Sequence, residues 1–297
     1  MNPKIISAVF LLIMGTVLFA FVKYPRSDVV QVIACDVGQG DGFLIIHKSY
    51  QILIDGGADS QILTCLSKYL PFWDRVIELL ILTHPQEDHY RGLIDVFERY
   101  NVQNFLLPQI DSSNESFRLL KNSMVGEGAN VTFAHSGQKV RVGLIYLEIL
   151  WPDMRFFNGN LKEGDSLRLG DKIENLYQTE INPNNLSVVF KARYKNFDML
   201  FTGDIEPTAI EKLLGLVEIG DVEYLKVPHH GSRNGLTKDL LKFATPEIAV
   251  ISVARNNSYG HPHQEILEML NQYAKVFRTD LKGDVVVLSD GNKIWVK

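Results

Sequence analysis

Apolar positions along the chain first form one long uninterrupted run and then a series of shorter runs. Residues 5–22 contain no charged side chain, and a run of about 18 such residues is long enough to cross a bilayer. The pattern predicts an N-terminal membrane anchor over residues 1–27, followed by one domain over residues 28–297. A cleaved signal peptide is the alternative, but its apolar core is usually shorter, and Leu18-Phe19-Ala20 lacks the small first residue of a cleavage site.

The charges that flank this apolar run leave its orientation open. Lys4 and the free amine precede it, and Lys23 and Arg26 follow it, so the positive-inside rule separates the two sides only weakly. The four residues before the apolar run are more easily left in the cytoplasm than the rest of the chain is. We therefore expect a single-pass protein of the cytoplasmic membrane whose domain is extracytoplasmic.

The shorter apolar runs predict one continuous α/β domain. Three strand-like runs come in quick succession with glycine-containing turns between them, which favours an antiparallel or mixed sheet: residues 29–37, 42–47 and 51–57. Later strands are expected at residues 76–84, 186–194, 198–204, 222–228, 247–254 and in a closing hairpin over 284–297. Helical spacing is found at residues 60–70, 90–100, 207–216, 237–244 and 263–270. The polar stretch 154–185 predicts a long excursion, a type of segment that often covers a site.

Composition narrows the class of protein further. With 46% hydrophobic residues the chain is globular, and 30 basic against 35 acidic residues give a net charge of −5. That balance argues against a surface that holds nucleic acid by charge alone, although a local basic groove stays open. Cys35 and Cys65 form no CxxC pair, so no thiolate zinc site is indicated. A bridge between them would suit an exported domain, but Cys35 lies in an apolar run and is more simply a core residue.

Six of the eight histidines fall into three short clusters, each just beyond a predicted strand, and two aspartates share that placement. The residues are His84 with His89, His229 with His230, His261 with His263, and the acids Asp88 and Asp204. Because loops at one sheet edge converge in space, we expect these side chains to meet. Imidazole with carboxylate suits Zn, Mn or Fe. Such a number of ligands favours two ions that share a bridging carboxylate, an arrangement suited to phosphodiester hydrolysis.

A purely structural role is the alternative for two of these positions. Asp88 is placed to cap the helix predicted after it, and His261-Pro262 resembles the start of another helix.

An ordered string of motifs resembles the metallo-β-lactamase-fold hydrolases, and within them the soluble domain of ComEC-type DNA-uptake proteins. The motifs are DVGQGDGFLI (36–45), ILIDGG (52–57), LTHPQEDHYRGL (82–93), NNLSVVF (184–190), LFTGDIE (200–206), LKVPHHGSRNG (225–235), YGHPHQEIL (259–267) and FRTDLKGDVVV (277–287). The resemblance implies a four-layer αββα sandwich with a metal site at one edge of its two sheets. ComEC proteins carry this domain behind a many-helix channel, whereas this chain has one predicted span.

The resemblance also implies roles for individual residues. His84 belongs to the first metal site, Asp88 and His89 to the second, and Asp204 bridges the two. His230 and His261 are further ligands or substrate contacts. A second group is expected near the ligands or the substrate: Asp41, Asp55, Gln86, Asn185, His229 and Ser232. Asp55 is expected to orient a ligand histidine, and for Asp41 a structural turn role is an equal alternative. Asn185 and Ser187 stand where other branches carry a third histidine.

Gln86 departs from the family pattern, in which a histidine or an aspartate occupies this position. A neutral amide is a poor ligand for a transition metal, so the first site is weakened, and one or two ions of Zn or Mn are expected.

These observations predict a membrane-anchored, metal-dependent phosphodiesterase or nuclease. Its expected substrates are extracytoplasmic DNA or nucleotides, single-stranded DNA included, with Asp88, Asp204 and His230 as catalytic residues. A phosphorylcholine-esterase-like hydrolase of a cell-envelope phosphodiester is one alternative. A non-catalytic binding module with a degenerate metal site, motivated by Gln86, is another.

Overall fold

A computed structural model describes residues 3–23, 28–153, 161–162, 176 and 178–297. Helix α1 (Pro3–Lys23) comes first, and its side chains are described only between residues 5 and 16. Within the part of the chain that is described, no helix is long and apolar enough to cross a membrane. The membrane anchor stays a prediction.

The domain that follows consists of strands and helices in mixed order. The strands are β1 (Val30–Ala34), β2 (Phe43–His47), β3 (Tyr50–Ile54), β4 (Val76–Ile77), β5 (Leu79–Ile81), β6 (Asn101–Val102), β7 (Asn104–Leu107), β8 (Asn130–Phe133), β9 (Lys139–Val142), β10 (Ile145–Trp151), β11 (Leu161–Lys162), β12 (Gln178–Thr179), β13 (Val189–Tyr194), β14 (Phe197–Phe201), β15 (Tyr224–Lys226), β16 (Ile248–Ile251), β17 (Lys275–Arg278), β18 (Val285–Ser289) and β19 (Ile294–Val296). The helices are α2 (Gln61–Tyr69), α3 (Glu87–Arg99), α4 (Glu115–Glu127), α5 (Pro207–Leu216), α6 (Lys238–Ala244), α7 (Gln264–Leu270) and α8 (Thr279–Lys282).

Two large sheets form the centre of the domain. The first has the order β19-β18-β1-β2-β3-β5-β7-β8, and the second has the order β17-β16-β15-β14-β13-β10-β9. The antiparallel group β1, β2 and β3 continues into parallel pairing of β3, β5, β7 and β8. In the second sheet β14 to β17 are parallel. The expected mixed sheet is therefore confirmed.

The two sheets pack face to face, and helices cover their outer faces. One apolar cluster lies between the sheets and includes Ile45, Phe190 and Phe201. A second cluster joins the first sheet to α2, α3 and α4, and a third joins the second sheet to α5, α6 and α7. These four layers are the predicted αββα sandwich. The carboxyl ends of the parallel strands of both sheets lie at one edge, where sites form in such sheets.

The predicted elements agree with the structure wherever periodicity was clear, and three stretches differ. Strand β17 and helix α8, over residues 275–282, were not predicted. The region 101–151 forms β6 to β10 and α4, none of which was predicted. The predicted excursion 154–185 lies largely outside the described residues. Its described parts include the antiparallel pair β11 and β12 and a 3₁₀ turn, Pro183–Leu186.

The two cysteines form a disulfide that joins the end of β1 to α2. Cys35 and Cys65 are bonded, with 5.8 Å between their Cα atoms. The expectation that Cys35 is simply a core residue is therefore wrong in part. It is buried, and it also crosslinks the loop that leads to the site edge.

Candidate metal centre

Five of the expected ligands come from three connections, and the helix start of one of them, at the edge where the parallel strands end. His84 follows β5, Asp88 and His89 lie in the first turn of α3, Asp204 follows β14, and His230 follows β15. The order of the strands within the two sheets therefore places these residues side by side, although they lie up to about 150 positions apart in the sequence.

Their side chains converge on the carboxylate of Asp204. Its Oδ2 lies 3.4 Å from His89 Nε2 and 3.2 Å from His230 Nε2. His230 Nε2 is also 3.6 Å from Asp88 Oδ2, and the rings of His84 and His89 have centroids 4.1 Å apart. Two overlapping groups of ligand atoms lie within 4.8 Å of one another: His84, His89 and Asp204, and Asp88, His89 and His230.

These residues fit a transition metal. The Nε2 atoms of His84, His89 and His230 are buried and have no hydrogen-bond partner among the described residues. A buried polar atom without a partner is costly and calls for a ligand or an ion. Three imidazole nitrogens beside carboxylate oxygens are the donor set that Zn, Mn or Fe prefers over Ca or Mg.

Hydrogen bonds at the opposite ring nitrogens turn two of these histidines toward the centre. His89 Nδ1 donates to Asp55 Oδ2 at 2.8 Å, and His230 Nδ1 donates to the carbonyl of Ser252 at 2.9 Å. Asp55 is fixed in turn by the backbone N–H and the hydroxyl of Thr83, at 2.8 and 2.7 Å. Such contacts set the tautomer that leaves Nε2 free for a metal. Asp55 thus lies where the resemblance implied, whereas Thr83 and Ser252 were not anticipated.

Local backbone geometry makes this convergence possible. Gly40 has φ +123°, and a Cβ there would lie 1.9 Å from the carbonyl oxygen of Asp88. His229 and His230 both adopt the left-handed region, with φ 51° and 52°. Consecutive non-glycine residues in that region are strained, and such strain concentrates at functional sites.

Asp204 is held by the loop before β13. Its backbone N–H donates to Ser187 Oγ at 3.1 Å. Gly203 has φ +51°, and a Cβ there would lie 2.8 Å from the Cβ of Ser187. The Asn185 amide nitrogen donates to Glu206 Oε2 at 3.4 Å. Of the two residues that stand where a third histidine occurs in other branches, Ser187 is the one that contacts a ligand residue.

A buried lysine completes the centre, and sequence reasoning missed it. Lys226 is 2% exposed and ends β15. Its Nζ forms an ion pair with Asp41, lies 3.0 Å from Asp204 Oδ1 and donates to the carbonyl of Gly203 at 2.6 Å. A lysine in the otherwise apolar sequence YLKVP was the available signal. Asp41 also approaches His230, at 3.4 Å, so its carboxylate belongs to the centre and its role is more than that of a turn.

The histidines of the centre differ in their protonation. Burial disfavours the charged form of His89, but Asp204 and Asp55 outweigh it and hold the pKa of this imidazole well above its usual value. Nearby carboxylates, Asp204 first, raise the pKa of His230 in the same way against burial. At His84 burial dominates, helped by His89, and lowers the pKa to about 3. A metal bound here must displace protons from His89 and His230.

The acids and the lysine of the centre keep one another in the ionised form. Burial opposes ionisation of Asp204, yet His230 and Lys226 hold its pKa well below the usual range. Burial likewise opposes charge on Lys226, but Asp41 and Asp204 raise its pKa. The centre therefore contains a fixed ammonium beside the carboxylate that the resemblance implies as a bridge.

Other expected residues lie beside the centre. The backbone N–H of Gln86 donates to the carbonyl of His84 at 3.0 Å. His261 packs against His229, with ring centroids 5.9 Å apart, and belongs to none of the groups of ligand atoms found in the described chain. Burial and the neighbouring histidines lower the pKa of His261 to about 4. The Ser232 hydroxyl accepts from the N–H of Asn234 at 3.3 Å and so serves a turn.

The two purely structural alternatives are not what the structure shows. Gln86, not Asp88, is the N-cap of α3. His263, not His261, is the N-cap of α7.

The comparisons with known proteins agree on one family. A sequence model of the metallo-β-lactamase superfamily matches residues 35–255. ComE operon protein 3 of Bacillus subtilis (strain 168) is 24% identical over 290 residues, covering 91% of this chain and 34% of that protein. Recombination protein 2 of Haemophilus influenzae is 27% identical over 267 residues, covering 86% of this chain and 28% of that protein. The chain thus spans about a third of the length of these relatives.

Solved structures resemble the chain in fold. The metallo-β-lactamase fold protein YhfI from Bacillus subtilis has a TM-score of 0.53 at 12% identity, covering 90% of this chain and 100% of that one. CmlA, a diiron β-hydroxylase from Streptomyces venezuelae, has a TM-score of 0.50 at 14% identity, covering 88% of this chain and 54% of that one. Identities this low show the fold alone, and fold does not decide the chemistry.

Proposed function

The chain belongs to the metallo-β-lactamase superfamily, and on that premise we propose that it is a membrane-anchored phosphodiesterase acting outside the cytoplasmic membrane. DNA or nucleotides are the leading substrate class. The family and its ComEC-like relatives support the broader class, a metal-dependent hydrolase, and agree with the predicted resemblance.

One observation carries the proposal: the buried Nε2 atoms of His84, His89 and His230 make no hydrogen bond with any described residue, and those of His89 and His230 lie 3.4 and 3.2 Å from the carboxylate of Asp204. His89, His230, Asp88 and Asp204 would hold the ion, with His84 beside them. A divalent ion at this place supplies Lewis-acid chemistry to a phosphoryl group. The arrangement suits a substrate that brings negative oxygens to a buried cationic centre.

We propose a single ion, Zn or Mn. Lys226 Nζ lies 3.0 Å from Asp204 Oδ1, so one face of this carboxylate is already neutralised by a fixed cation. A second divalent ion near Lys226 would meet charge repulsion. Gln86 offers only a neutral amide on the His84 side, which further weakens a second site.

The residues of the chain have separate tasks in this proposal. Asp88 and Asp204 supply negative charge to the ion, and Asp55 keeps His89 in the orientation that frees its Nε2. His230, held by the Ser252 carbonyl at Nδ1, faces both carboxylates and would give its Nε2 to the ion. Lys226 keeps Asp41 and Asp204 ionised without solvent.

Two observations support the extracytoplasmic location. The Cys35–Cys65 disulfide is of a kind that persists in oxidising compartments. The uncharged run at residues 5–22 is the proposed anchor. The substrate class rests on the resemblance to ComE operon protein 3 and Recombination protein 2, and it is part of the proposal.

Hydrolysis by the full chain in detergent tests the proposal. We expect cleavage of bis-para-nitrophenyl phosphate and of single-stranded DNA that depends on added Mn or Zn. Asp204→Asn should lower the rate by roughly a thousandfold or more, since it removes ionic ligand charge at the centre. Asp239→Asn is the matched control, because Asp239 is exposed and pairs only with Lys242 on α6.

Other results would redirect the assignment. Release of choline phosphate with no cleavage of DNA would favour the phosphorylcholine-esterase-like hydrolase. A folded chain that binds one ion but cleaves no phosphodiester would contradict the enzyme and favour a binding module.

A further inference from the structure

The edge of the sandwich opposite the metal centre, here called the turn edge, consists of hairpin turns and helix ends. It contains the turns at residues 48–49, 143–144, 195–196 and 290–293, the segment 71–75 before β4, and the last residues of α5 and α6. Contacts join these pieces: Lys195 Nζ lies 2.6 Å from Asp28 Oδ2 and 3.1 Å from the carbonyl of Asp290. Gln51 donates to Asp74 Oδ2 at 3.0 Å.

Exposed apolar side chains are concentrated at the turn edge. Among the described residues outside α1, eleven large apolar residues are exposed, and eight of them belong to the turn edge or lie within two residues of it. The eight are Tyr50, Phe72, Trp73, Leu144, Tyr146, Leu216, Phe243 and Trp295. A soluble surface normally scatters such residues, so their collection on one edge indicates an interaction surface.

Phe72 and Trp73 protrude furthest. They are 78% and 53% exposed, and their rings contact edge to face, with centroids 4.8 Å apart. Aromatic residues of this kind are enriched at the headgroup level of membranes, where an apolar ring meets a wet boundary. Four of the eight exposed residues are Trp or Tyr, the two types that prefer that level.

The charges of the turn edge are compatible with a bilayer surface. Lys48, Lys195 and Lys293 lie in its turns, and Asp28 and Asp290 lie between them. Lys48 and Lys195 both pair with Asp28. Because the net charge is small, apolar contact contributes most of the attraction, and the lysines add a preference for anionic headgroups.

The course of the chain points to the same partner. Asp28 lies at the turn edge, and α1 ends five residues earlier at Lys23. Five residues span at most about 18 Å, so the end of α1 stays close to this edge. Eight large apolar side chains of α1 between Ile5 and Met14 are exposed, Phe10 and Leu12 among them, and they need an apolar surrounding.

We infer that the turn edge rests on a lipid bilayer, with Phe72 and Trp73 at headgroup depth and the metal centre facing away from the membrane. The opposite edge, which contains the metal centre, is called the metal edge. Strand β10 has seven residues and runs from the turn edge to the metal edge. At about 3.4 Å per residue the centre therefore stands roughly 24 Å from the bilayer surface.

This orientation narrows the substrate class, a consequence that rests on the proposed function. A phosphodiester that stays within the lipid headgroup layer does not reach a site at that height. The substrate must arrive from the aqueous side, as a soluble nucleotide or a polymer strand does.

Quenching of tryptophan fluorescence by brominated lipid tests the orientation. The full chain is placed in vesicles of phosphatidylcholine and phosphatidylglycerol with brominated or plain acyl chains, with chelator present so that catalysis plays no part. Trp73 should lose roughly half of its emission to the brominated chains, as a headgroup-level tryptophan does. The Trp73→Phe variant gives the background from buried Trp151 and from Trp295.

A reporter at the metal edge is the matched control. Leu281, 67% exposed at the metal edge, is changed to Trp in the Trp73→Phe background, and its emission should be the same in both kinds of vesicle. Three results would overturn the inference: no quenching of Trp73 in the bound chain, equal quenching of the Leu281→Trp reporter, or no association of the chain with vesicles. None depends on hydrolysis, so failure of the orientation is distinguishable from failure of the enzyme proposal.

Discussion

The metal edge and the turn edge of this sandwich differ from an ordinary protein surface in opposite ways. At the metal edge, acids, histidines and a lysine are buried, with Asp204, Lys226 and His230 each at most 2% exposed. At the turn edge, large apolar side chains such as Phe72 and Trp73 are exposed. Buried charge costs free energy unless it is paired. An apolar side chain that stays exposed does not contribute the hydrophobic stabilisation that its burial would give.

The contrast separates two ways in which function is built into one fold. The metal edge depends on mutual compensation, since every charged group there has a partner whose removal leaves it unpaired. The turn edge depends on individual apolar side chains that are largely exposed. Substitutions at the first edge should therefore change stability and function together, and substitutions at the second should change function alone.

Replacing the buried lysine should have the largest effect. Lys226→Met leaves Asp41 and Asp204 buried without a cation, so we expect a loss of about 3–5 kcal/mol in the free energy of unfolding. Chemical denaturation of the metal-free chain measures it. Lys242→Met, at an exposed pair with Asp239, should change stability by less than about 1 kcal/mol. Equal losses in the two variants would contradict the compensation described for the metal edge.

A glycine substitution at the centre should be the next most costly. Gly40→Ala places a Cβ 1.9 Å from the Asp88 carbonyl oxygen and keeps φ at +123°. Both strain and displacement of Asp88 follow, so we expect a loss of about 2–4 kcal/mol and weaker metal binding. Gly137→Ala is the control, because Gly137 has φ +86° with nothing within 4 Å. It should lose only the backbone contribution, about 1 kcal/mol, and keep its metal affinity.

The pH dependence of stability should show that His84 is neutral in the folded chain. The pKa of His84 falls from 6.5 to about 3 on folding, so the unfolded chain binds more protons between these values. Stability of the metal-free chain should therefore fall as the pH drops below 6.5. The raised pKa values of His89 and His230 give a contribution already complete below pH 6.5, so they add no slope there.

A variant isolates that contribution. As the pH falls from 6.5 to about 4, the free energy of unfolding should decrease less in His84→Gln than in the wild-type chain. The slopes of the two curves should differ by at most ~1.4 kcal/mol per pH unit. Parallel curves for the two proteins, measured by thermal unfolding with chelator, would show that His84 is not held neutral.

The smallest change in stability is expected at the turn edge. Phe72→Ser combined with Trp73→Ser should alter the free energy of unfolding by no more than about 0.5 kcal/mol, while weakening association with vesicles. A loss comparable to that of Gly40→Ala would mean that these aromatics serve the fold, and the two edges would no longer contrast.

The sequence predicts these two edges unequally. Helices such as α3 and α5 follow from apolar periodicity, and the candidate ligands Asp88, His89 and Asp204 follow from an ordered motif string. Lys226 escapes prediction, because a single lysine in an apolar strand does not show which carboxylates surround it. The disulfide escapes for a similar reason, since Cys35 and Cys65 are 30 positions apart and only folding brings them together.

The turn edge lies beyond pattern reasoning altogether. Phe72 and Trp73 are apolar residues in a short loop, and nothing in their spacing shows that they point outward. Their significance depends on which strands begin beside them, and strand order is a property of the folded sheets. The polarity of the sandwich, with chemistry at one edge and apolar exposure at the other, therefore becomes visible only in the structure.

The metal content of the purified full-length chain tests the central claim most directly. Elemental analysis should find close to one Zn or Mn per wild-type chain, and almost none in Asp88→Asn, because an amide is a poor ligand for such ions. Asp239→Asn should keep the wild-type content. Two ions per chain would contradict the part assigned to Lys226. A chain that stays free of metal after incubation with either ion would contradict the metal centre itself.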